Sequence, residues 1–318
     1  MILVRSPLRI TLGGGGTDLP SFSRTYGGFC LAAAIDRYVY VAVTKPFEPG
    51  IYLKYSQQEK VSAIDEVKHP IIRECLRWTH TPPQIEITTL ADIPAGTGLG
   101  SSSSFTTALL VALYMQQGLR MHHGDIAHAA CEIEIKKLAQ TIGKQDQYIA
   151  SHGGISAFHF GVNGDVDVEA VKLSETHRAH LEDHLLLFFT GYARESAADL
   201  LREQDAKTTA KDESIIRELT AAKYCAELTR EHLERGEFEK FAEYLRVRRS
   251  KPMAGVVRHW LDAGESTGAS GKLVGAGEHG FLLFYTETPT LLRAMMRQFD
   301  LPEVRFRFDF EGTKVLLA

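Results

Sequence analysis

The stretch PAGTGLGSSSSF at 94–105 combines three glycines and four consecutive serines, directly before the apolar run ALLVALYM. Apolar residues then recur at a helical spacing, at Phe105, Leu109, Ala112 and Leu113. A glycine-rich turn that leads into a helix presents unpaired N–H groups, and the helix dipole adds to their attraction for an anion. Serines can cap such a helix, but four exceed what a cap requires. The stretch therefore predicts a site for a phosphate-bearing ligand.

A buried carboxylate is predicted in the segment ACEIEIKKLAQTIGKQDQYIASHGG at 130–154. On a helix, Glu132 and Lys136 share one side and form a solvated i,i+4 pair. Glu134 points the other way, towards an apolar face, where an unpaired charge is costly. Two partners for Glu134 remain open at this point, a bound cation and a structural salt bridge with Lys137.

A third segment, SPLRITLGGGGTDLPSF at 6–22, places Arg9 on a strand before a four-glycine turn. Such a turn lets a ligand approach the backbone closely, and the Asp18 carboxylate that follows can accept hydrogen bonds from hydroxyl groups. Further along, Asp146 follows Gly143 in a polar turn. Asp146 could take part in the chemistry, or it could simply stabilise the turn as an Asx-turn residue.

Other phosphate-binding patterns are disfavoured. GAGEHG at 275–280 satisfies G-x-G-x-x-G, but FLLFYTE follows it and predicts a strand, where a dinucleotide fingerprint needs a helix. The sequence contains no G-x-x-x-x-G-K-[ST], and no H-R-D or D-F-G follows the glycines.

Composition narrows the class of protein. The 318 residues are 44% hydrophobic and 24% charged, with a formal net charge of −4. That charge argues against nucleic-acid and anionic-membrane partners. No apolar run approaches the ~18 residues that span a bilayer, and the start does not resemble a signal peptide. The four cysteines are widely separated, so we expect a reduced, cytoplasmic protein.

The elements that carry these segments follow from hydrophobic patterning. Strands are predicted at 38–43, 51–56, 84–90, 155–162, 164–173 and 184–189, with a hairpin turn at Asn163-Gly164. Helices are predicted at 104–117, 125–139, 213–235 and 237–250. A strand (GFLLFY), a helix (TLLRAMMRQF) and the alternating strand VRFRFDF come last. This is an α+β protein with a break near residue 180, which predicts domains at 1–180 and 181–318.

Taken in order, PLRITLGGGGTDL, PAGTGLGSSSS and KLVGAGEHG resemble the three motifs of the GHMP superfamily, which includes galactokinase, homoserine kinase, mevalonate kinase and phosphomevalonate kinase. Within it, GGGTDLPSF, GLGSSSSFTTALL, YSQQE and GKQDQYIASHGG look like the D-glycero-D-manno-heptose 7-phosphate kinases. Those enzymes phosphorylate the anomeric hydroxyl with ATP, on the way to nucleotide-activated heptose for surface polysaccharide.

The resemblance implies roles for named residues. ATP would be held by Gly96, Gly98, Leu99, Gly100, Ser101, Ser102 and Ser103. It also implies that Ser102 and Glu134 bind Mg²⁺, which favours the cation over the salt bridge. Asp146 would face the acceptor hydroxyl, and Arg9 beside it would counter charge on the transferring phosphoryl group. The sugar would be bound by Gly15, Gly16, Thr17, Asp18, Asp146, Gly275 and Arg194.

The implied fold is a ribosomal-protein-S5-domain-2-like N-terminal domain and a ferredoxin-like C-terminal domain, with ATP between them. The third motif departs from the family pattern, because Glu278 and His279 occupy positions that are usually glycine. The alternatives are a kinase for the anomeric hydroxyl of galactose, fucose or mannose, and a non-catalytic relative that senses ATP and sugar. The oligomeric state stays open, with a homodimer as one option.

Overall fold

The structure, a computed structural model, describes residues 1–191, 197–247, 253, 255–275 and 279–318. Its strands are β1 (Ile2–Gly13), β2 (Gly28–Thr44), β3 (Gly50–Lys54), β4 (Gln58–Val61), β5 (Gln84–Ala91), β6 (Ile155–Phe160), β7 (Val166–Ala170), β8 (Leu185–Phe189), β9 (Ser270–Val274), β10 (Phe281–Tyr285) and β11 (Lys314–Leu317). Its α-helices are α1 (Pro20–Tyr26), α2 (Pro70–Trp78), α3 (Ser101–Gln116), α4 (His123–Cys131), α5 (Gln145–His152), α6 (Glu175–His184), α7 (Ala197–Thr209), α8 (Glu213–Arg235), α9 (Phe238–Val247), α10 (Gly255–Glu265) and α11 (Pro289–Arg297).

The larger sheet is organised around β2. In the described residues it has eight strands, in the order β11-β1-β2-β5-β3-β4, and β6 and β7 extend it from β2. β2 pairs with β1 along one edge; on the other edge its first half pairs with β6 and its second half with β5. β3 and β5 are parallel, and the other pairs in this sheet are antiparallel.

Alternation along β2 separates two layers of core, because successive strand side chains point to opposite faces. Cys30 and Ala32 join a cluster with residues of α4 and α5. Leu31 and Ala33 join a different cluster, which also holds side chains of α8, α9 and the second sheet. The helix α3 is buried along most of its length in a further cluster with α2, α4 and the strands β3 and β5. The helices on one face of the larger sheet thus carry the segments at 94–105 and 130–154, in which the sequence predicts site residues.

A second, antiparallel sheet has the order β8-β10-β9. Both of its faces are covered. Leu187 and Leu283 face the cluster shared with the larger sheet, whereas Leu186 and Leu282 face a cluster formed with α10 and α11. This explains why the segments HLLLFF and GFLLFY are continuously apolar rather than alternating. No helix in the described residues is long and apolar enough to cross a bilayer.

The predicted elements are mostly confirmed, with two corrections. The helix predicted at 125–139 ends as an α-helix at Cys131 and continues as a π-helical segment, Glu132–Lys137. The alternating segment VRFRFDF is not a strand; the isolated bridges here are at Phe308, within it, and at Glu303, directly before it. The Val304 N–H donates to Leu187 in the second sheet, and the Asp309 N–H donates to Ala34 in the first. The segment therefore links the two sheets instead of extending either.

The α+β class is confirmed. The domain boundary near residue 180 stays a prediction. The C-terminal end of the chain does not remain on one side of that boundary. After the second sheet the chain returns to the first, where β11 pairs with β1 through Val4 and Val315. A division by sequence position thus assigns β11 to the C-terminal part, although it completes the larger sheet.

Candidate functional site

The glycine-rich turn before α3 requires glycine at three positions. Gly96, Gly98 and Gly100 all have positive φ, between 76° and 86°, which only glycine adopts without strain. Gly100 is also the N-cap of α3, and no side chain caps that end of the helix. The prediction that the serines cap α3 is therefore wrong. The first N–H groups of α3 therefore have no side-chain cap, and anion binding by this turn stays a prediction.

The four serines face different neighbours. Ser101 is partly exposed and Ser102 is exposed, whereas Ser103 and Ser104 are buried. The Ser104 hydroxyl, which is 2.7 Å from the Pro7 carbonyl oxygen, holds the helix start against β1. The Leu99 side chain is fully buried, and its carbonyl accepts a 3.0 Å hydrogen bond from the Arg9 N–H. Leu99 thus contributes backbone rather than a side chain to the turn.

Arg9 of β1 and Asp146 of α5 form a two-point ion pair beside this turn. Arg9 Nε lies 2.7 Å from Asp146 Oδ1, and Nη2 lies 2.6 Å from Oδ2. The third guanidinium nitrogen donates to the Gly98 carbonyl. A Cβ at Gly100 would stand 3.1 Å from Arg9 Cγ and 3.3 Å from Asp146 Oδ2. The ion pair is therefore packed directly against the start of α3, and the Asp146 side chain is 25% exposed.

The four-glycine turn is held by Thr17 and Asp18. Thr17 is buried, and its hydroxyl oxygen lies 2.8 Å from the carbonyl oxygens of both Gly14 and Phe29, so its one proton can be donated to either. Asp18 is 3% exposed; its Oδ1 accepts from the Gly16 N–H and its Oδ2 from the Gln145 N–H, each at 3.1 Å. The turn is thus fixed against the beginning of α5, next to Asp146.

The environment of Asp18 disfavours its charge. Burial raises the pKa of the Asp18 carboxyl, and the negative charge of Asp146 raises it further, although backbone N–H groups of Gln145, Asp18 and Gly16 lower it. Close contact explains the burial: a Cβ at Gly143 would lie 1.8 Å from Asp18 Oδ2. Gly143 is therefore glycine because the Asp18 carboxylate occupies the space of a side chain.

Glu134, in the π-helical segment, has an exposed fraction of 0%. Its buried orientation is as predicted, but hydroxyl groups rather than apolar atoms meet its carboxylate. Oε1 accepts from Ser102 (3.0 Å) and Thr106 (2.8 Å), and Oε2 from Ser103 (2.9 Å) and Gln147. Burial raises the pKa of Glu134 and these hydrogen bonds lower it.

The salt-bridge alternative for Glu134 finds no support, because no cation pairs with it in the described part of the chain. The Lys136–Glu132 pair predicted on the opposite side is present, at 2.7 Å. The π-helical turn itself is a feature that helical periodicity did not reveal, and such turns are common at functional sites.

The C-terminal glycine motif meets the first turn backbone to backbone. A Cβ at Gly275 (φ +96°) would lie 2.9 Å from the Gly98 Cα, and one at Gly98 would lie equally close to the Gly275 Cα. A Cβ at Gly280 would lie 2.6 Å from the Thr97 carbonyl oxygen. Gly275 therefore shapes the turn that leads to α3, and the predicted contact of Gly275 with the sugar stays a prediction.

The structure thus gathers Arg9, Asp146, Asp18, Glu134 and the glycine turn around the starts of α3 and α5. Arg194, predicted to bind the sugar's phosphate, lies outside the described residues. Sequence reasoning missed two kinds of residue. Thr106 and Gln147 complete the Glu134 site, and Thr106 follows Ser102 by one helical turn, a spacing that could have revealed it.

The second missed group joins the site to later parts of the chain. The Gln204 side chain, on α7, donates to the Gly16 carbonyl at 3.0 Å. The Lys272 ammonium group, on β9, donates to the Leu12 carbonyl at 2.8 Å. Both reach the four-glycine turn or the strand that leads into it, and nothing in their local sequence marks them.

The fold and the glycine turns are those of a known class of phosphotransferase. A family model, the GHMP kinases N terminal domain, matches residues 65–154, which contain the first turn, α3 and Glu134. Residues 65–154 are thus similar to the N-terminal domain of GHMP kinases.

Particular relatives narrow this class. The chain is 29% identical to the D-glycero-alpha-D-manno-heptose 7-phosphate kinase of Campylobacter jejuni, over 98% of each chain. A crystal structure described as a D-glycero-D-manno-heptose 1-phosphate kinase from Bacteroides thetaiotaomicron superposes with a TM-score of 0.78, at 26% identity, over 100% of this chain and 99% of the other. A putative sugar kinase of Campylobacter jejuni gives 0.77, also at 26% identity, over 99% and 97%.

Proposed function

We propose that this kinase transfers the γ-phosphoryl group of ATP to the anomeric hydroxyl of D-glycero-D-manno-heptose 7-phosphate, forming the 1,7-bisphosphate. The Arg9–Asp146 ion pair at the start of α3 carries the proposal, because it puts a carboxylate beside an anion-binding turn. Similarity to a heptose 7-phosphate kinase over nearly the whole chain supports this sugar. The product would feed nucleotide-activated heptose and surface polysaccharide.

Asp146 would accept the hydrogen bond of the acceptor hydroxyl and take its proton late in the transfer. The ion pair occupies one lone-pair site on each carboxylate oxygen, and a carboxylate offers about four such sites. Arg9 fixes the carboxylate plane through two parallel bonds, a geometry that a lysine cannot reproduce. The same guanidinium adds positive charge beside the transferring group, and phosphoryl transfer depends chiefly on such positioning and charge.

Mg²⁺ fits the oxygen-rich donor set around Ser102 and Glu134, because this ion prefers carboxylate, hydroxyl, water and phosphate oxygens. Ser102 is exposed and donates its proton to Glu134, so its oxygen lone pairs point elsewhere. Ser102 would hold the ion directly, and Glu134 would supply negative charge behind it or bind after Ser102 rotates. Bound Mg²⁺ would neutralise charge on the ATP phosphates.

The sugar would lie against the four-glycine turn, near Gly15, Gly16 and Asp18. Both Asp18 oxygens already accept backbone N–H bonds, and each retains a lone pair for a sugar hydroxyl. The ATP phosphates would meet the N–H groups of 96–103. Gly275 would act through its contact with Gly98, and Arg194 is proposed for the sugar's own phosphate.

The proposal is tested by replacing Asp146 with its near-isostere. Asp146→Asn should retain ATP binding while kcat falls by about 10²–10⁴, the scale of a general base. The matched control is Asp125→Asn, an exposed aspartate in the first turn of α4, which should behave as wild type. Turnover of Asp146→Asn within a few-fold of wild type would return Asp146 to a structural role.

The substrate is tested separately, by ADP release over a panel of sugars. Heptose 7-phosphate should give the highest kcat/KM, ahead of free heptose, galactose, fucose and mannose. A preference for a free sugar would replace the proposed substrate but leave the sugar-kinase assignment. No ADP release with any sugar, in protein that binds ATP, would favour a sensing role.

A further inference from the structure

Two imidazoles and one carboxylate converge where α6 meets the end of β10. His180 and His184 lie on α6, and Glu287 follows β10 by two residues. His180 Nε2 is 3.5 Å from Glu287 Oε1, and His184 Nε2 is 3.8 Å from Glu287 Oε2. One side-chain atom from each residue lies within 4.8 Å of the other two. None of these residues belongs to the site described above.

The backbone fixes these three positions relative to one another. Spacing of four residues puts both histidines on one face of α6, and their rings stack with centroids 3.9 Å apart. Leu185, the residue after the helix, pairs with Tyr285 in the second sheet, and the Thr286 N–H donates to the His184 carbonyl at 3.1 Å. The segment that carries Glu287 is therefore bonded directly to the end of the helix.

The hydrogen bonds around the cluster are those that orient metal-binding imidazoles. His184 Nδ1 lies 2.8 Å from the His180 carbonyl oxygen. A carbonyl only accepts, so Nδ1 carries a proton, and in the neutral ring the Nε2 lone pair faces Glu287. A ligating histidine commonly donates its other N–H to a backbone carbonyl or carboxylate in this way. The Tyr285 hydroxyl donates to Glu287 and thereby orients the carboxylate.

Negative charge surrounds the cluster. Among the described residues, no lysine or arginine pairs with Glu287, and the basic groups that face its carboxylate are these two imidazoles. Asp183 and Glu239 lie near enough to add further negative potential. The Glu287 side chain is 55% exposed, so an ion can reach it from solvent.

We propose that His180, His184 and Glu287 bind a divalent transition-metal ion, with Zn²⁺ as the best match. Two imidazole nitrogens and one carboxylate oxygen are a common zinc donor set, whereas Mg²⁺ prefers oxygen ligands only. Tetrahedral bonds of about 2.0–2.1 Å place ligand atoms roughly 3.3 Å apart. The three ligand atoms, which lie within 4.8 Å of one another, would therefore move closer by up to roughly 1.5 Å. Water would take the fourth position.

Binding of the ion requires one histidine to change its tautomer. If both histidines are neutral, no proton is released to solvent. His180 Nε2, now 2.9 Å from the Tyr285 hydroxyl oxygen, must present its lone pair to the ion, and the ring proton moves to Nδ1. The ion would join α6 to the end of β10 and thereby stabilise the second sheet.

The experiment uses tag-free, full-length protein stripped of metal, without ATP. Zn²⁺ binding is measured by equilibrium dialysis, and Co²⁺ serves as a spectroscopic probe of coordination. Wild type should bind one Zn²⁺ that excess Mg²⁺ does not displace, show intense visible Co²⁺ bands, and gain in Tm with Zn²⁺. His184→Ala and Glu287→Gln should each weaken binding at least about tenfold and abolish the gain in Tm.

The control variant is His128→Ala, which removes an exposed histidine that also faces a glutamate one helical turn away, Glu132, at 3.7 Å. It should bind Zn²⁺ as wild type does. Absence of a wild-type site, or equal affinity in Glu287→Gln and wild type, would overturn the proposal. Because Glu287 is half exposed, Glu287→Gln decides the matter even if His184→Ala does not fold. None of these readouts depends on the kinase's substrate.

Discussion

Arg9 and Asp146 are 137 positions apart and meet through two parallel hydrogen bonds of 2.7 and 2.6 Å. The same guanidinium donates to the Gly98 carbonyl. One side chain therefore connects β1, the glycine turn before α3 and the first turn of α5. Its planar fork is what allows three fixed contacts at once, since each nitrogen donates in a set direction.

Arg9→Lys should lower kcat while the protein remains folded, because a single ammonium group cannot hold both Asp146 oxygens and the Gly98 carbonyl. We expect a loss of about 10–100-fold, from misplacement of the carboxylate that we propose as catalytic. Steady-state kinetics with ATP and sugar measure it. Arg5→Lys, on the same strand and paired with Glu311 instead, is the matched control. Equal activity of both variants would contradict the positioning role.

Glu134→Gln should weaken activation by Mg²⁺, because it removes the buried negative charge behind Ser102. The concentration of Mg²⁺ for half-maximal activity should rise, by about tenfold for one charge-assisted contact. Glu132→Gln, two residues earlier and paired with Lys136 on the opposite side, should leave it unchanged. An unaltered Mg²⁺ dependence in Glu134→Gln would make the carboxylate a purely structural hydrogen-bond acceptor.

Asp18→Asn should raise KM for the sugar by about tenfold, the cost of one hydrogen bond to a charged group. KM for ATP should change much less, since Asp18 contacts the four-glycine turn and α5 rather than the turn before α3. Both constants come from the same kinetic assay. Equal increases in the two would mean that Asp18 only holds the fold of the site.

Asp18→Asn should also change how the free energy of unfolding depends on pH. The pKa of Asp18 in the folded protein lies above its ordinary 3.8, chiefly through burial. The stability linked to its proton is therefore fully present below 3.8 and is lost as pH rises through the raised pKa. Asparagine does not titrate, so the free energy of unfolding of wild type minus that of Asp18→Asn should fall from about pH 4 to about pH 8. Urea unfolding at both pH values measures it, and a constant difference would contradict the raised pKa.

Gly275→Ala should raise KM for ATP, because its Cβ would stand 2.9 Å from the Gly98 Cα and push the turn away from α3. The control is Gly268→Ala, which has a similar positive φ of 88° but open space around the new Cβ. Both variants incur backbone strain of about 1–2 kcal/mol, and only the first incurs the contact. Similar ATP kinetics in the two would show that the close approach has no functional consequence.

The sequence was sufficient to predict the local elements of the site. It was insufficient to predict which residues, distant along the same chain, contact them. The glycine turn and α3 follow from residue types that admit few conformations. Periodicity indicated that Glu134 is buried but not that a π-helical turn brings Thr106 and Gln147 to it. A hydrogen bond between residues distant in sequence leaves no periodic trace, so Gln204 and Lys272 were also missed.

At VRFRFDF, by contrast, the sequence pattern predicted an element that the structure does not contain. Its alternation correctly marks Phe306 and Phe308 as buried, but Phe310, the next residue in the pattern, is 52% exposed. Alternation reports only which side chains face inward, however, and not which backbone groups are bonded. Here the backbone bonds divide between two sheets, at Leu187 and at Ala34, so no continuous ladder forms.

Because β2 contributes to the pairing of β1, β5 and β6 alike, it sets the cooperativity of the larger sheet. No half of that sheet can open without exposing the backbone of β2 on one edge or the other. The strand should therefore behave as one foldon, whose amide protons exchange with solvent only when the whole sheet unfolds. The strands at its margins, β4 and β7, can fray and exchange long before it.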